Sequence, residues 1–150
     1  MIEPKQVNKS HPGAVGDVLP ELARLVTQKQ VDNYAEASGD FNPIHIDEHF
    51  ASATQFGGRI AHGMLLLAFV SEMMDQAFPT GWANGGKLKV RFKSPVYPGE
   101  NISTYGQVLS VNGSTLGPVA KCRIGCRKED GTDAVTGHAF VPIGVRGEPT

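Results

Sequence analysis

The amino-acid sequence predicts an α+β fold, a curved antiparallel sheet with one strongly apolar helix for it to wrap. Two observations predict it. The second half of the chain carries four segments with strand periodicity, separated by turn residues. Ahead of them, Met64 to Val70 is an unbroken apolar run that turns amphipathic only at Ser71-Glu72-Met73-Met74-Asp75-Gln76. That run alone also fits a buried strand. Its continuation to Phe78 favours a helix, and one apolar on every side has to be buried all round.

The elements follow in order. Gly16-Asp17-Val18-Leu19-Pro20 reads as a turn into a first short strand over about 22–26. Thr27 with Gln30 is a capping-box pattern that starts a helix through about Ala37, ended by Ser38-Gly39. Asn42-Pro43 then enforces a bend, because proline lacks an N–H and pushes the preceding residue out of the α region. Asp47 can cap a short helix over 48–53, and Gly57-Gly58 breaks the chain again. The apolar helix follows and stops before Pro79. Residues 87–93 alternate, with Leu88, Val90 and Phe92 on one face and Lys87, Lys89, Arg91 and Lys93 on the other. A strand over 101–111 leads to Asn112-Gly113, a strong hairpin-turn signal. Residues 119–127 alternate again, with Lys121, Arg123 and Arg127 opposite Cys122, Ile124 and Cys126. Asp130-Gly131 makes the next turn into a last strand over 134–143. Gly106 and Gly137 fall inside strands, where they permit bending or close backbone approach.

Length and composition set the class. The chain's 150 residues suit one domain, and 40% hydrophobic with 19% charged residues suits a soluble globular protein. A net charge of −1 argues against a protein built around the nucleic-acid backbone. No run is long enough to span a bilayer, and the N-terminus has no signal-peptide pattern. Two cysteines exclude a disulfide scaffold and point to a reducing cytoplasm. At i and i+4 of a strand they stand about 13 Å apart and cannot bridge each other. Residues 1–12 and 145–150 read as loose tails around a domain over 13–144.

The chemistry concentrates in Gly39-Asp40-Phe41-Asn42-Pro43-Ile44-His45. This stiff bend holds a carboxylate and an imidazole, two proton-transfer groups, five residues apart. Asn42 stabilises the bend and is also a candidate for binding a substrate. By themselves Asp40 and His45 also fit a capping turn and a satisfied structural histidine. His45 and His49 lie four apart near Asp40 and Asp47, but no metal-ligand spacing is matched, so no metal is expected. His62 reads as a cap of the apolar helix, and His138 as structural. The basic strand faces read as solvated, with one or two cations free to meet a phosphate.

The run Asp40-Phe41-Asn42-Pro43-Ile44-His45, followed by His62-Gly63-Met64-Leu65, resembles the MaoC-like, (R)-specific enoyl-CoA hydratase family. The stretch from Val90 to Glu100 is similar to that family's strand and following turn, and the resemblance runs from about Gly16 to Val141. It implies a single hot-dog fold, usually a dimer, that hydrates trans-2-enoyl thioesters of coenzyme A or acyl-carrier protein to (R)-3-hydroxyacyl thioesters without a cofactor. It implies Asp40 as general base toward water and His45 as its partner in proton delivery. Gly63, at the start of the apolar helix, is placed to offer its N–H to the thioester oxygen. Ser71 matches a family position near the catalytic acid, although it stands about 12 Å along the helix from Gly63. Two alternatives stay open. A hot-dog thioesterase would need a helix carboxylate, with Glu72 and Asp75 the candidates, and a non-catalytic partner subunit would need only the fold.

Overall fold

The structure is a computed structural model that describes residues 12–144. Apart from Pro12, the expected tails lie outside the described residues. The element order is β1 (Ala23–Leu25), α1 (Gln28–Ser38), α2 (Pro43–Ile46), α3 (Glu48–Ser52), α4 (Gly63–Ala77), α5 (Pro79–Gly85), β2 (Lys87–Phe92), β3 (Asn101–Ser114), β4 (Gly117–Lys128) and β5 (Asp133–Pro142). The five strands form one antiparallel sheet in the order β1-β3-β4-β5-β2. Register shifts at Val108/Ser110 and Cys126/Arg127 bend it. The inward face of this curved sheet packs on α4, which is the hot-dog arrangement.

The core is built where the sequence alternates. Ile102, Val108, Cys122, Ile124, Cys126, Val135, Ala139 and Val141 project from the sheet and are almost fully buried. From α4 they meet Leu65, Leu66, Phe69, Val70, Met73, Met74 and Ala77. The helix is not buried all round, however. Met64 is 58% exposed, and Ala68 and Asp75 are exposed as well. The spacings 64, 68 and 75 mark one helix face, because one sheet covers only the opposite side.

Local signals explain most boundaries. Thr27 accepts from Gln30 N while Gln30 Oε1 accepts from Thr27 N, a complete capping box. Gly39 ends α1 at φ 76°, where its N–H donates to Ala35 O. The Asp130-Gly131 turn stands as expected, with Gly131 at φ 87° and Thr132 N donating to Asp130 Oδ1.

Three further expectations need correction. The bend after Asp40 is itself a short helix. Pro43 sits at its first position, where a missing N–H costs nothing, and Asn42 Oδ1 caps it by accepting from Ile44 N at 3.2 Å. Pro79 likewise starts α5 instead of only ending α4. The first hairpin turns at Thr115-Leu116, three residues beyond Asn112-Gly113, whose residues stay paired with Val119 and Pro118. There Ser114 Oγ accepts from Leu116 N at 3.2 Å and donates to Gly117 O at 2.7 Å, which stabilises the displaced tip.

Candidate active site

Three chain segments converge at the N-terminal end of α4. The first is the Asp40–His45 stretch. Asp40 N donates to Ser38 Oγ at 3.2 Å, and Asp40 Oδ1 accepts from Asn42 N at 3.1 Å. The carboxylate is therefore tied locally on one oxygen. The α2 helix then swings His45 back toward α4. The second segment is 60–62, held by Ile60 N donating to Ile44 O at 3.2 Å and Ala61 N donating to Val96 O at 2.8 Å. The third is the stretch from Phe92 to Val96 that leaves β2.

His45 is half-buried, and its Nδ1 lies 2.7 Å from Ile60 O. A carbonyl oxygen can only accept, so Nδ1 carries the proton and the neutral ring's lone pair is on Nε2. Gln28 Nε2 donates to the His45 carbonyl at 2.9 Å and fixes its backbone. Burial pushes the His45 imidazolium below its usual range, the neighbouring His62 acts in the same direction, and the Ile60 carbonyl and Asp40 only partly offset them.

The sign of the resulting pH dependence follows. The unfolded chain binds the His45 proton more tightly than the folded chain does. This stability contribution is complete above the unfolded value of 6.5 and is lost as pH falls below it, toward the depressed folded value. Thermal unfolding between pH 7 and pH 5 is expected to show a decline that His45→Ala reduces. An equally steep decline in that variant would contradict the assignment.

Asp40, His45, His62 and Gly63 face one cavity of about 520 Å³. Phe56, Ile60, Leu66, Phe92 and Val96 form much of the remaining wall, so the titratable groups look onto a largely apolar space. Gly63 opens α4, and its N–H has no acceptor among the described residues. A Cβ placed there would meet the Phe92 ring at 2.7 Å. With only hydrogens at that position, the backbone N–H stays approachable beneath Phe92. At the positive end of a fifteen-residue helix, that donor suits an oxygen that gains negative charge.

His62 takes a different place from the one its sequence position implies. It is the N-cap residue of α4 but makes no side-chain capping bond. Its Nε2–H donates instead to the backbone carbonyl of Asp40 at 3.0 Å, and its ring stacks on His45 at 3.9 Å between centroids, with Tyr34 4.8 Å away. Nothing local in the sequence marks this role, because Asp40 is 22 residues away.

The ligand atoms of Asp40, His45 and His62 lie within 4.8 Å of one another. The two imidazoles, however, are stacked with only 28° between their planes. An ion about 2.0–2.1 Å from both nitrogens would have to lie near both ring planes at once. The stack does not allow that, so the residues do not fit a metal. His49, the other histidine considered for one, is exposed and outside the cluster.

The remaining candidates separate. Asn42 caps α2 and does not line the cavity. Ser71 lies further along α4, where its Oγ accepts from Trp82 Nε1 at 2.8 Å; the structure does not bring it to Asp40. Ser71→Ala is expected to cost about 1 kcal/mol of stability, the usual worth of one hydrogen bond, and to leave turnover unchanged. A fall in kcat without a fall in melting temperature would return Ser71 to the site. Glu72 is paired with Arg24 at 2.6 Å, Asp75 is exposed, and neither lines the cavity. Met64 also reaches the cavity, whereas Met73 and Met74 are fully buried in the core.

A family model described as "MaoC like domain" matches residues 12–120. The chain is 32% identical over 122 residues to an (R)-specific enoyl-CoA hydratase of Aeromonas caviae, covering 81% of this chain and 90% of that one. It is 30% identical over 123 residues to a 3-hydroxybutyryl-CoA dehydratase of Methylorubrum extorquens, covering 81% of this chain and 76% of that one. Among solved structures, an (R)-hydratase from A. caviae involved in PHA biosynthesis superposes with a TM-score of 0.76 at 30% identity, covering 90% of this chain and all of that one.

Proposed function

This chain belongs to the MaoC-like domain family, and from that premise we propose that it reversibly hydrates trans-2-enoyl thioesters to (R)-3-hydroxyacyl thioesters. The observation that carries the reading is the shared cavity. A carboxylate, an imidazole with its lone pair on Nε2 and a free helix-terminal N–H face one largely apolar space.

The chemistry follows from that arrangement. A water between Asp40 and His45 directs one hydrogen to the carboxylate and the other to His45 Nε2. Asp40 takes its proton as the water oxygen attacks Cβ, and the electrons of the double bond move to the thioester oxygen. Gly63 N–H stabilises that charge where it develops. Asp40 then gives that proton up to Cα while His45 Nε2, accepting from the new hydroxyl, keeps the two groups aligned, so the hydroxyl and the new hydrogen both come from the water. The apolar walls limit competing solvent beside the Gly63 N–H, under the Phe92 ring, and so strengthen that interaction. The same steps reversed give dehydration.

In this reading the protein works in the cytoplasm as a homodimer on a thioester of coenzyme A or of a carrier protein. The sheet ends in β1 and β2, each with one edge unpaired among the described residues, and Met64 and Phe92 expose apolar surface beside the cavity. No described helix is long and apolar enough to cross a membrane.

Incubation with crotonyl-CoA tests the reaction. Loss of the enoyl absorbance without release of free thiol is the expected result. Thiol release would replace the hydratase with a thioesterase, and silence across acyl chain lengths would favour a binding subunit.

A further inference from the structure

We infer that His62 is a positioning residue that aligns Asp40 with His45, gripping one through its backbone and the other through its ring face. The inference rests on the hydratase reading, in which that pair does the acid–base work.

The side chain is placed as a clamp and poorly placed as anything else. It is 1% exposed, and its Nδ1 is buried without a partner. A leucine or phenylalanine would fill the volume without that unsatisfied atom, so core packing alone does not account for a histidine. Capping does not account for it either, because the side chain makes no bond to the start of α4. What the imidazole does supply is two contacts at once. Nε2–H donates to Asp40 O at 3.0 Å, fixing the backbone that carries the carboxylate. The ring face lies 3.9 Å from His45 and blocks its rotation. With the Ile60 carbonyl on Nδ1 and Gln28 on its backbone carbonyl, His45 is held on every side except Nε2.

Charge supports the same assignment. The titratable groups acting on His45 are His62, from the start of α4, and Asp40, from the loop before α2, with Tyr34 of α1 behind His62. Burial lowers the His45 imidazolium, His62 acts in the same direction, and the stack therefore favours the neutral form of His45. That form leaves Nε2 free to accept a hydrogen from water.

Two variants separate the contacts. His62→Phe keeps an aromatic ring and the volume but loses the donor. His62→Gln keeps a donor and loses the ring. Each is assayed for kcat and KM on crotonyl-CoA, and the His45 ring is titrated by NMR. His62→Phe is expected to lower kcat by about 10²-fold, the cost of a small misplacement of reacting groups, with KM within about twofold. Its His45 titration should move up toward the unfolded value. His62→Gln should lose less kcat, because the hold on Asp40 is kept. A folded His62→Phe protein with wild-type kcat and an unmoved His45 titration would overturn the inference. If His62→Phe does not fold, His62→Gln decides: lowered kcat at unchanged KM supports the clamp, and wild-type kcat overturns it. If the wild-type protein turns over no enoyl thioester, the hydratase reading fails by itself. The His45 titration and the Asp40 amide resonance then still report whether His62 holds the pair.

Discussion

Replacing Asp40 by Asn is expected to lower turnover of crotonyl-CoA by about 10²–10⁴-fold, the usual range for losing a positioned general base. The fold should be indifferent to the change. Asp40 is exposed, and its one side-chain hydrogen bond is accepted by Oδ1 from Asn42 N at 3.1 Å. The amide oxygen of Asn can accept the same bond. What disappears is the negative charge and the ability to take a proton from water. The melting temperature should therefore stay within about 2 °C while kcat collapses, since 1 kcal/mol moves a domain of this size by about 2–4 °C. His45→Ala makes the matching test from the other side. A protein that hydrates crotonyl-CoA at the wild-type rate with either change would remove the pair from the mechanism.

Gly137→Ala is expected to be among the most damaging single changes to stability, at about 3 kcal/mol or roughly 6–12 °C in melting temperature. Gly137 lies on β5 opposite Val90 of β2. A Cβ there would press on the Lys89 carbonyl oxygen and stand 2.8 Å from Val90 Cα, with Val90 Cγ1 3.0 Å away. Two of those neighbours are backbone and cannot turn aside as a flexible side chain can. The strand itself would have to lift from β5. That strand leads into Phe92, Lys93 and the stretch through Val96 that walls the cavity, so activity should fall together with stability. Thermal melts and kcat measured on one preparation check both parts. An unchanged melting temperature would mean that β2 does not lie this close to β5.

These two residues show how unevenly the molecule is written in its sequence. The Asp40 segment was legible as a stiff turn, because proline and asparagine restrict the chain locally, but not as the short helix that they start. The Thr27–Gln30 box and the Asp130-Gly131 turn were legible for the same reason. The alternation of β4 gave its buried face, since strand periodicity requires only that one side meet a core. Pro79 was misleading because proline excludes a helix interior but fits a first turn equally well. Asn112-Gly113 was misleading because ladder pairing extended past the favoured turn. The open face of α4 was hidden by a composition that is apolar on all sides, while coverage depends on how many layers surround the helix. The gap between β2 and β5 at Gly137 and the reach of His62 to Asp40 are both contacts between distant segments, and no local pattern encodes them.

The buried faces of β4 carry a practical consequence for the assay itself. Cys122 and Cys126 are fully covered, and burial pushes their thiols up to about 11 and about 12. Only a thiolate attacks a chromogenic disulfide reagent, so at neutral pH the folded protein contributes no colour of its own. Every thiol such a reagent detects during turnover then belongs to released carrier, which lets one cuvette distinguish addition of water across the double bond from cleavage of the thioester. The same silence leaves the chain a blank background for site-directed labelling. A cysteine introduced at the hairpin tip, where Leu116 is 98% exposed, would be the sole reactive thiol on the protein.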